Sequence, residues 1–122
     1  MKGRRYKVYA ADTGISYQYY FAWRRRVTRP EDLGAGSDFI FVISSGPRLP
    51  FLARVFVSDR AMQAWRQLHG RELDASELYA VAKMRLFRAF DELDQPGDEW
   101  SNLIVNESNI VGLLQPLGLT ED

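Results

Sequence analysis

Cysteine is absent from this chain of 122 residues, and histidine occurs once, as His69. The first absence excludes disulfides, thiolate metal sites and cysteine nucleophiles. A multi-histidine zinc site is excluded as well, because a single imidazole cannot build one. We therefore predict a protein that holds no metal and no other cofactor.

Long apolar runs are also missing. No stretch approaches the roughly 20 apolar residues that cross a bilayer, and the opening MKGRRYKVY lacks the apolar core of a signal peptide. The length and the hydrophobic content of 46% are ordinary for one soluble globular domain covering residues 1–122. We predict a cytoplasmic protein with no membrane partner.

Net charge is zero, but the charges are unevenly distributed along the chain. Residues 1–57 contain ten basic and four acidic side chains, a net charge of +6, and residues 58–122 carry −6. Such asymmetry is typical of a nucleic-acid-binding face or of self-complementary association. It is equally compatible with two solvated surfaces of opposite sign.

Hydrophobic residues in the first half recur with a period of two, which predicts β-strands. From Ile15 onward the odd positions, through Tyr19 to Trp23, are apolar and are expected to be buried, and most even positions are polar. Residues 29–37, which include the glycine-rich GAGS, are predicted to form a loop. The predicted strands are residues 4–11, 15–27, 38–45 and 51–58.

The period changes to that of helices in the second half. Ser58 or Asp59 can cap a first helix that ends before Gly70, and Asp74 with Glu77 is a capping-box start for a longer helix to about Leu93. We predict an α+β fold, a four-stranded antiparallel β-meander packed against two α-helices in the order ββββαα. A short C-terminal segment follows, with a strand at residues 103–105 and a helix at 107–115 that Pro116 ends.

The longer helix carries a second apolar patch. Val81 and Met84 lie opposite its main apolar stripe, and Phe87 lies at the edge of that stripe. An apolar patch of this kind needs a cover, either the C-terminal segment of the same chain or another subunit. We predict that Val81, Met84 and Phe87 form an interface, most simply in a homodimer.

Asp12-Thr13-Gly14 follows an apolar strand, and Ile110-Val111-Gly112 lies near the C-terminus. These triplets resemble the two motifs of retroviral-type aspartic proteases. The resemblance implies a homodimer in which Asp12 of each subunit shares a proton and activates a water. Against it, Ile15 stands where that family has a small residue, and residues 58–93 read as helices.

A hairpin turn is the alternative role for Asp12. A three-residue loop would place Lys7 opposite Tyr19 and mix polar with apolar side chains on each face. A four-residue loop, from Asp12 to Ile15, keeps Val8 opposite Tyr19 and is preferred on that ground. Gly14 then takes the left-handed position of the turn.

In that register one sheet face combines basic and aromatic side chains. Such a face can bind single-stranded nucleic acid through phosphate contacts and base stacking. The candidate binding residues are Arg5, Lys7, Tyr9, Tyr20, Arg24 and Arg26.

Catalytic constellations are scarce. His69 falls at the predicted C-terminus of the first helix, where a cation interacts favourably with the helix dipole, so we predict a capping role for it. The sequence thus favours a small non-enzymatic binding module of unknown ligand that self-associates, with nucleic-acid binding and a protease-like dimer as alternatives.

Overall fold

Strands precede helices along the chain, as the change of period predicts. The computed structural model describes residues 6–30, 33–93 and 97–118. The strands are β1 (Lys7–Ala10), β2 (Ser16–Arg29), β3 (Gly34–Ser44), β4 (Phe51–Ser58) and β5 (Leu103–Val105). The helices are α1 (Asp59–His69), α2 (Ala75–Glu92) and α3 (Ile110–Leu114), with short 3₁₀ turns at Asp98–Ser101 and Gln115–Leu117.

All five strands form one sheet in the order β1-β2-β3-β4-β5. The first four pair antiparallel, which confirms the predicted α+β meander. β5 pairs with β4 in parallel. The chain must therefore return, after β4, to the end of the sheet where β4 began before β5 can start. Helices α1 and α2 make that return, and the predicted short strand becomes the fifth of the sheet.

The β1–β2 hairpin confirms the turn role of Asp12 but not the predicted loop length. Lys7 pairs with Tyr19 and Val8 with Gln18, which is the register of a three-residue loop. Ala11 and Ile15 close the loop through a backbone hydrogen bond of 2.9 Å, and Gly14 has φ of 90°. The preference for a four-residue loop was wrong.

Tertiary contacts explain the register. Tyr9 pairs with Tyr17 on the buried side, stacks on Phe87 at 4.5 Å between ring centroids, and donates a hydrogen bond of 2.8 Å from its hydroxyl to Asp91. Val8 is left 65% exposed in exchange. Burying a tyrosine ring removes more apolar area from water than burying a valine, so the larger side chain decides the pairing.

A β-bulge interrupts β2. The pairing with β3 shifts between Phe21 and Trp23, so that Ala22 is the extra residue. Because side chains alternate along a strand, one extra residue moves every later side chain of β2 to the opposite face. Trp23, predicted to be buried, is therefore 47% exposed.

The long connection predicted at residues 29–37 is also wrong. β2 extends to Arg29, and β3 begins at Gly34, so all of GAGS is strand. Gly36 pairs with Val27 on one side and Ser58 on the other. Glycine is required there, since a Cβ would lie 2.5 Å from the carbonyl oxygen of Val57 and 2.6 Å from the ring of Phe56.

Helix ends follow the capping signals closely. The Ser58 hydroxyl accepts a hydrogen bond of 3.0 Å from the N–H of Ala61, and Gly70 closes α1 in the left-handed conformation with φ of 73°. Asp74 and Glu77 form the predicted capping box of α2. The last helix is shorter than predicted, and Pro116 lies within the 3₁₀ turn that follows it rather than ending a helix.

The C-terminal segment covers the apolar patch that was predicted to be an interface. Val81 is fully buried, in one core cluster with Ile110, Leu113 and Leu114. Met84 and Phe87 are partly buried against the same core. The C-terminal segment, one of the two alternatives, is therefore the cover for Val81, and an interface at these residues stays a prediction, as does self-association.

Candidate binding surface on the open face of the sheet

The two faces of the sheet have different surroundings. The helix face carries Tyr17, Phe41 and Val55, and aromatic residues of α2 pack on it, such as Phe90 on Tyr17 with 4.4 Å between ring centroids. The opposite side, called the open face below, carries Tyr20, Val42 and Leu52 in one row across β2, β3 and β4. In the described part of the chain no helix packs on the open face.

The structure does not bring the predicted site residues together. Tyr20 lies on the open face, whereas the pairing puts Lys7 and Tyr9 on the helix face. Beyond the bulge Arg24 pairs with Phe39 and Arg26 with Ser37, again on the helix face. Arg5 lies outside the described residues.

Tyr9 has a structural role in this arrangement. Burial, followed by the hydrogen bond to Asp91, raises the pKa of Tyr9 to about 12. The backbone N–H of Asp12 donates a second hydrogen bond of 2.9 Å to the same carboxylate. Asp91 of α2 thus joins the hairpin to the helix through the Tyr9 hydroxyl and the Asp12 backbone N–H.

His69 also packs internally. It lies in the last turn of α1, as predicted, with its ring centroid 3.7 Å from that of Trp65. Trp65 is 1% exposed. The contact is intrahelical, between residues four apart, where side chains on one helix face meet.

The open face presents an aromatic and aliphatic band. Tyr6 packs edge-on against Tyr20 with ring centroids 5.0 Å apart, and Trp23 lies in the next row, paired with Ile40. Tyr6 is 43% exposed, Trp23 47% and Leu52 52%. Large apolar side chains this exposed on neighbouring strands form a contiguous patch, which in soluble proteins marks an interaction site.

An arginine cluster lies directly beside this band. Asp38 is buried at 1% exposure, and three guanidinium groups surround its carboxylate. The nitrogen–oxygen distances to Asp38 are 3.0 Å for Arg29, 3.6 Å for Arg25 and 3.9 Å for Arg54. One carboxylate balances one of three positive charges, so the cluster carries a surplus of two.

The three arginines are not equally accessible. Arg29 is 14% exposed and lies over the ring of Phe56, 4.9 Å from its centroid, so it covers a fully buried phenylalanine on this face. Arg25 is 49% exposed and Arg54 40%. Arg29 therefore holds the cluster together, while Arg25 and Arg54 present their charge to solvent.

A groove of about 710 Å³ lies at the end of the sheet, next to the apolar band. Its lining includes Val8, Gln18 and Ser44 of the open face, Pro47 and Arg48 of the β3–β4 loop, and Tyr17, Phe51 and Trp100 of the helix side. The arginine cluster, the aromatic band and the groove thus follow one another along the strands.

Sequence reasoning identified the kind of surface but only Tyr20 among its residues. Trp23 was assigned to the core and Arg25 was left out, both because the alternation was continued through Ala22. Asp38 carried a signal that could have been used, since an acid opening the apolar run DFIFVIS needs a cation when that run is buried. Arg29 and Arg54 lie far from it in sequence, and only the pairing of β2, β3 and β4 brings them near.

No family model matches this chain, and no curated protein or solved structure does either. Across residues 6–30, 33–93 and 97–118, no helix is long and apolar enough to cross a membrane. The geometry of the open face is therefore the basis for a functional proposal.

Proposed function

We propose that this protein is a non-enzymatic binding module that takes single-stranded nucleic acid on the open face of its sheet. One observation carries the proposal. The aromatic rings of Tyr6, Tyr20 and Trp23, of which Tyr6 and Trp23 are exposed, lie on the same face as Arg25 and Arg54, which both contact the buried Asp38.

Charge favours a polyanion over a second copy of the chain. The described open-face side chains include three arginines and one acid, so two copies meeting through this face would bring like charges together. A phosphate backbone supplies the complementary charge, and arginine forks contact phosphate oxygens in bidentate fashion.

The aromatic band favours a single strand over a duplex. Unpaired bases stack on exposed aromatic rings, and each such contact is worth about 1–3 kcal/mol. Paired bases in a duplex expose only their edges, so the rings would find no partner. Neighbouring side chains on a sheet face are spaced closely enough for several nucleotides to lie along the band at once.

Fluorescence anisotropy of labelled oligonucleotides tests the proposal. We expect the protein to bind single-stranded RNA or DNA more tightly than duplex of equal length, with an affinity that falls as salt rises. Arg25→Ala and Arg54→Ala should each reduce the slope of log affinity against log salt by about 0.7, the value for one phosphate contact on a single strand. Trp23→Ala should weaken binding by about tenfold or more, and Trp23→Phe less.

Matched controls lie on the other side of the molecule. Arg88→Gln removes one exposed charge from α2. Leu68→Ala shortens an apolar side chain of α1 that is 68% exposed. Both should bind like wild type. Equal loss in these controls, or no salt-dependent binding by the wild-type protein, would refute the proposal.

Intrinsic fluorescence gives a second readout. Trp65 and Trp100 are both 1% exposed, so Trp23 is the tryptophan that a stacked base can quench. Quenching that disappears in Trp23→Phe would place the ligand on the band. Light scattering on the same samples tests self-association, which the charge argument disfavours through this face.

A further inference from the structure

A second charged site lies on the helix side of the molecule. Beyond the bulge, the side chains of Arg24 and Arg26 lie on the helix face of β2. They line a pocket of about 340 Å³ between the end of β2 and helix α1. Arg66 of α1 also lines the pocket, together with the apolar residues Val57, Met62 and Leu78. This volume is at the lower end for small-molecule sites, which combine apolar walls with a few placed polar groups.

Two of the three guanidinium groups are already paired. Arg26 holds Asp59 with two hydrogen bonds of 2.8 and 2.6 Å, and Arg66 contacts Glu72 at 3.1 Å. The hydrogen bonds from Arg26 hold the pKa of Asp59 below its usual range, so this carboxylate stays ionised at neutral pH. Each of these two ion pairs, Arg26 with Asp59 and Arg66 with Glu72, is therefore neutral and offers no net charge to a ligand.

Arg24 is different. Its guanidinium carbon lies 5.3 Å from the centroid of the Phe39 ring, and one nitrogen lies 3.4 Å from the Ser37 hydroxyl oxygen. Within the described ranges, no carboxylate forms an ion pair with it. The three arginines and two acids of the pocket thus leave one positive charge, and that charge belongs to an arginine that an aromatic ring supports from one side.

We propose that this pocket binds a small carboxylate with an apolar body. A single carboxylate neutralises the surplus charge of one and accepts two hydrogen bonds from one guanidinium. The apolar body then contacts chiefly Met62, which is partly buried, because Val57 and Leu78 behind it are only 1% and 8% exposed. The site is separate from the open face, since Arg24 and Arg25 point to opposite sides of β2.

Calorimetry with phenylacetate, phenylacetamide and acetate tests this assignment. Phenylacetate should bind, the neutral amide should bind at least tenfold more weakly, and acetate, which lacks the apolar body, should also bind more weakly. The same comparison with a short peptide ending in phenylalanine, as free acid and as amide, distinguishes a free small molecule from a peptide C-terminus as the source of the carboxylate.

Variants of the pocket complete the test. Arg24→Gln should abolish the preference for the acid over the amide, Arg24→Lys should retain part of it, and Arg88→Gln should leave it unchanged. Glu72→Gln adds a second surplus charge and should tighten phenylacetate binding several-fold, a gain that a misfolded protein cannot produce. Equal binding of acid and amide, or wild-type binding by Arg24→Gln, would overturn the proposal, and Arg25→Ala should have no effect on it.

Discussion

The helix face and the open face belong to one sheet, yet different interactions stabilise them. On the helix face, rings pack on rings: Tyr17 on Phe90, Tyr9 on Phe87 and Phe21 on Tyr79. On the open face, charge and close backbone approach replace a covering layer, with Arg29 over Phe56 and the arginine cluster around Asp38. A face whose buried residues are covered by arginine side chains rather than by a helix remains accessible to a ligand.

The same strand supplies both faces, and its bulge sets the boundary between them. Before Ala22, β2 directs Tyr17 and Tyr19 to the helix face. Beyond it, Trp23 and Arg25 face the open side instead of the core. Bulges commonly re-aim side chains beside functional sites, and here the bulge places an exposed tryptophan next to the arginine cluster.

The largest effect is expected on the helix face. Leu86 is fully buried in the core, so Leu86→Asp would bury an unpaired charge and should unfold the protein. Circular dichroism on heating checks this outcome. Leu68→Asp on the exposed side of α1 should melt like wild type, and a similar curve for Leu86→Asp would disprove the assignment of this helix to the core.

The second-largest effect is expected at Asp38, the buried carboxylate of the open face. Asp38→Ala leaves three guanidinium groups without their buried partner, and breaking a buried pair costs about 3–5 kcal/mol. We expect the low end of that range, since Arg25 and Arg54 are partly exposed. Urea denaturation measures the loss, and Asp59→Ala, which breaks a largely exposed pair, should cost about 1 kcal/mol or less.

A smaller effect tests the close backbone approach beneath Phe56. Gly36→Ala should destabilise the protein by about 1–3 kcal/mol, because the new methyl group overlaps the Val57 carbonyl and the Phe56 ring. Gly112→Ala in α3 is the matched control, with no atom within 4 Å of the new Cβ. If both variants unfold at the same urea concentration, Phe56 does not pack closely against Gly36.

The smallest effect concerns pH and the capping box of α2. Hydrogen bonds from Arg71 lower the pKa of Glu77 to about 2, against an ordinary value of 4.5. A lowered folded-state pKa contributes stability above the ordinary value, and that contribution is lost as pH falls from about 4.5 to about 2. Between pH 5 and pH 2, Glu77→Gln should therefore lose less free energy of unfolding, measured by urea denaturation, than wild type. If the free energy of unfolding depends on pH in the same way in both proteins, Arg71 does not lower the pKa of Glu77.

Sequence reasoning succeeded where the signal is local. Capping of α1 by Ser58 and Gly70, and of α2 by Asp74 and Glu77, depends on hydrogen bonds within a few residues and is readable from spacing. The α+β class follows from the change of period. Even the short strand Leu103–Val105 was placed at its observed bounds.

It failed where a choice depends on contacts far along the chain. The hairpin register depends on Phe87 and Asp91, residues more than 70 positions from Tyr9, which stabilise a pairing that alternation alone disfavours. The bulge at Ala22 has no marker in the residues around it. A basic and aromatic sheet face was predicted, but the bulge moved Arg24 and Arg26 off it and the hairpin register moved Lys7 and Tyr9.

Composition, hydrophobic period and capping signals by themselves determined the absence of thiol chemistry, the order of the strands and helices, and the presence of arginines and aromatic residues in the strands. Only the tertiary structure decided which face each side chain occupies. The physical reason is that a strand's faces differ by one residue of register. That register is set by the burial of large rings such as Tyr9 against a helix that the chain reaches only later.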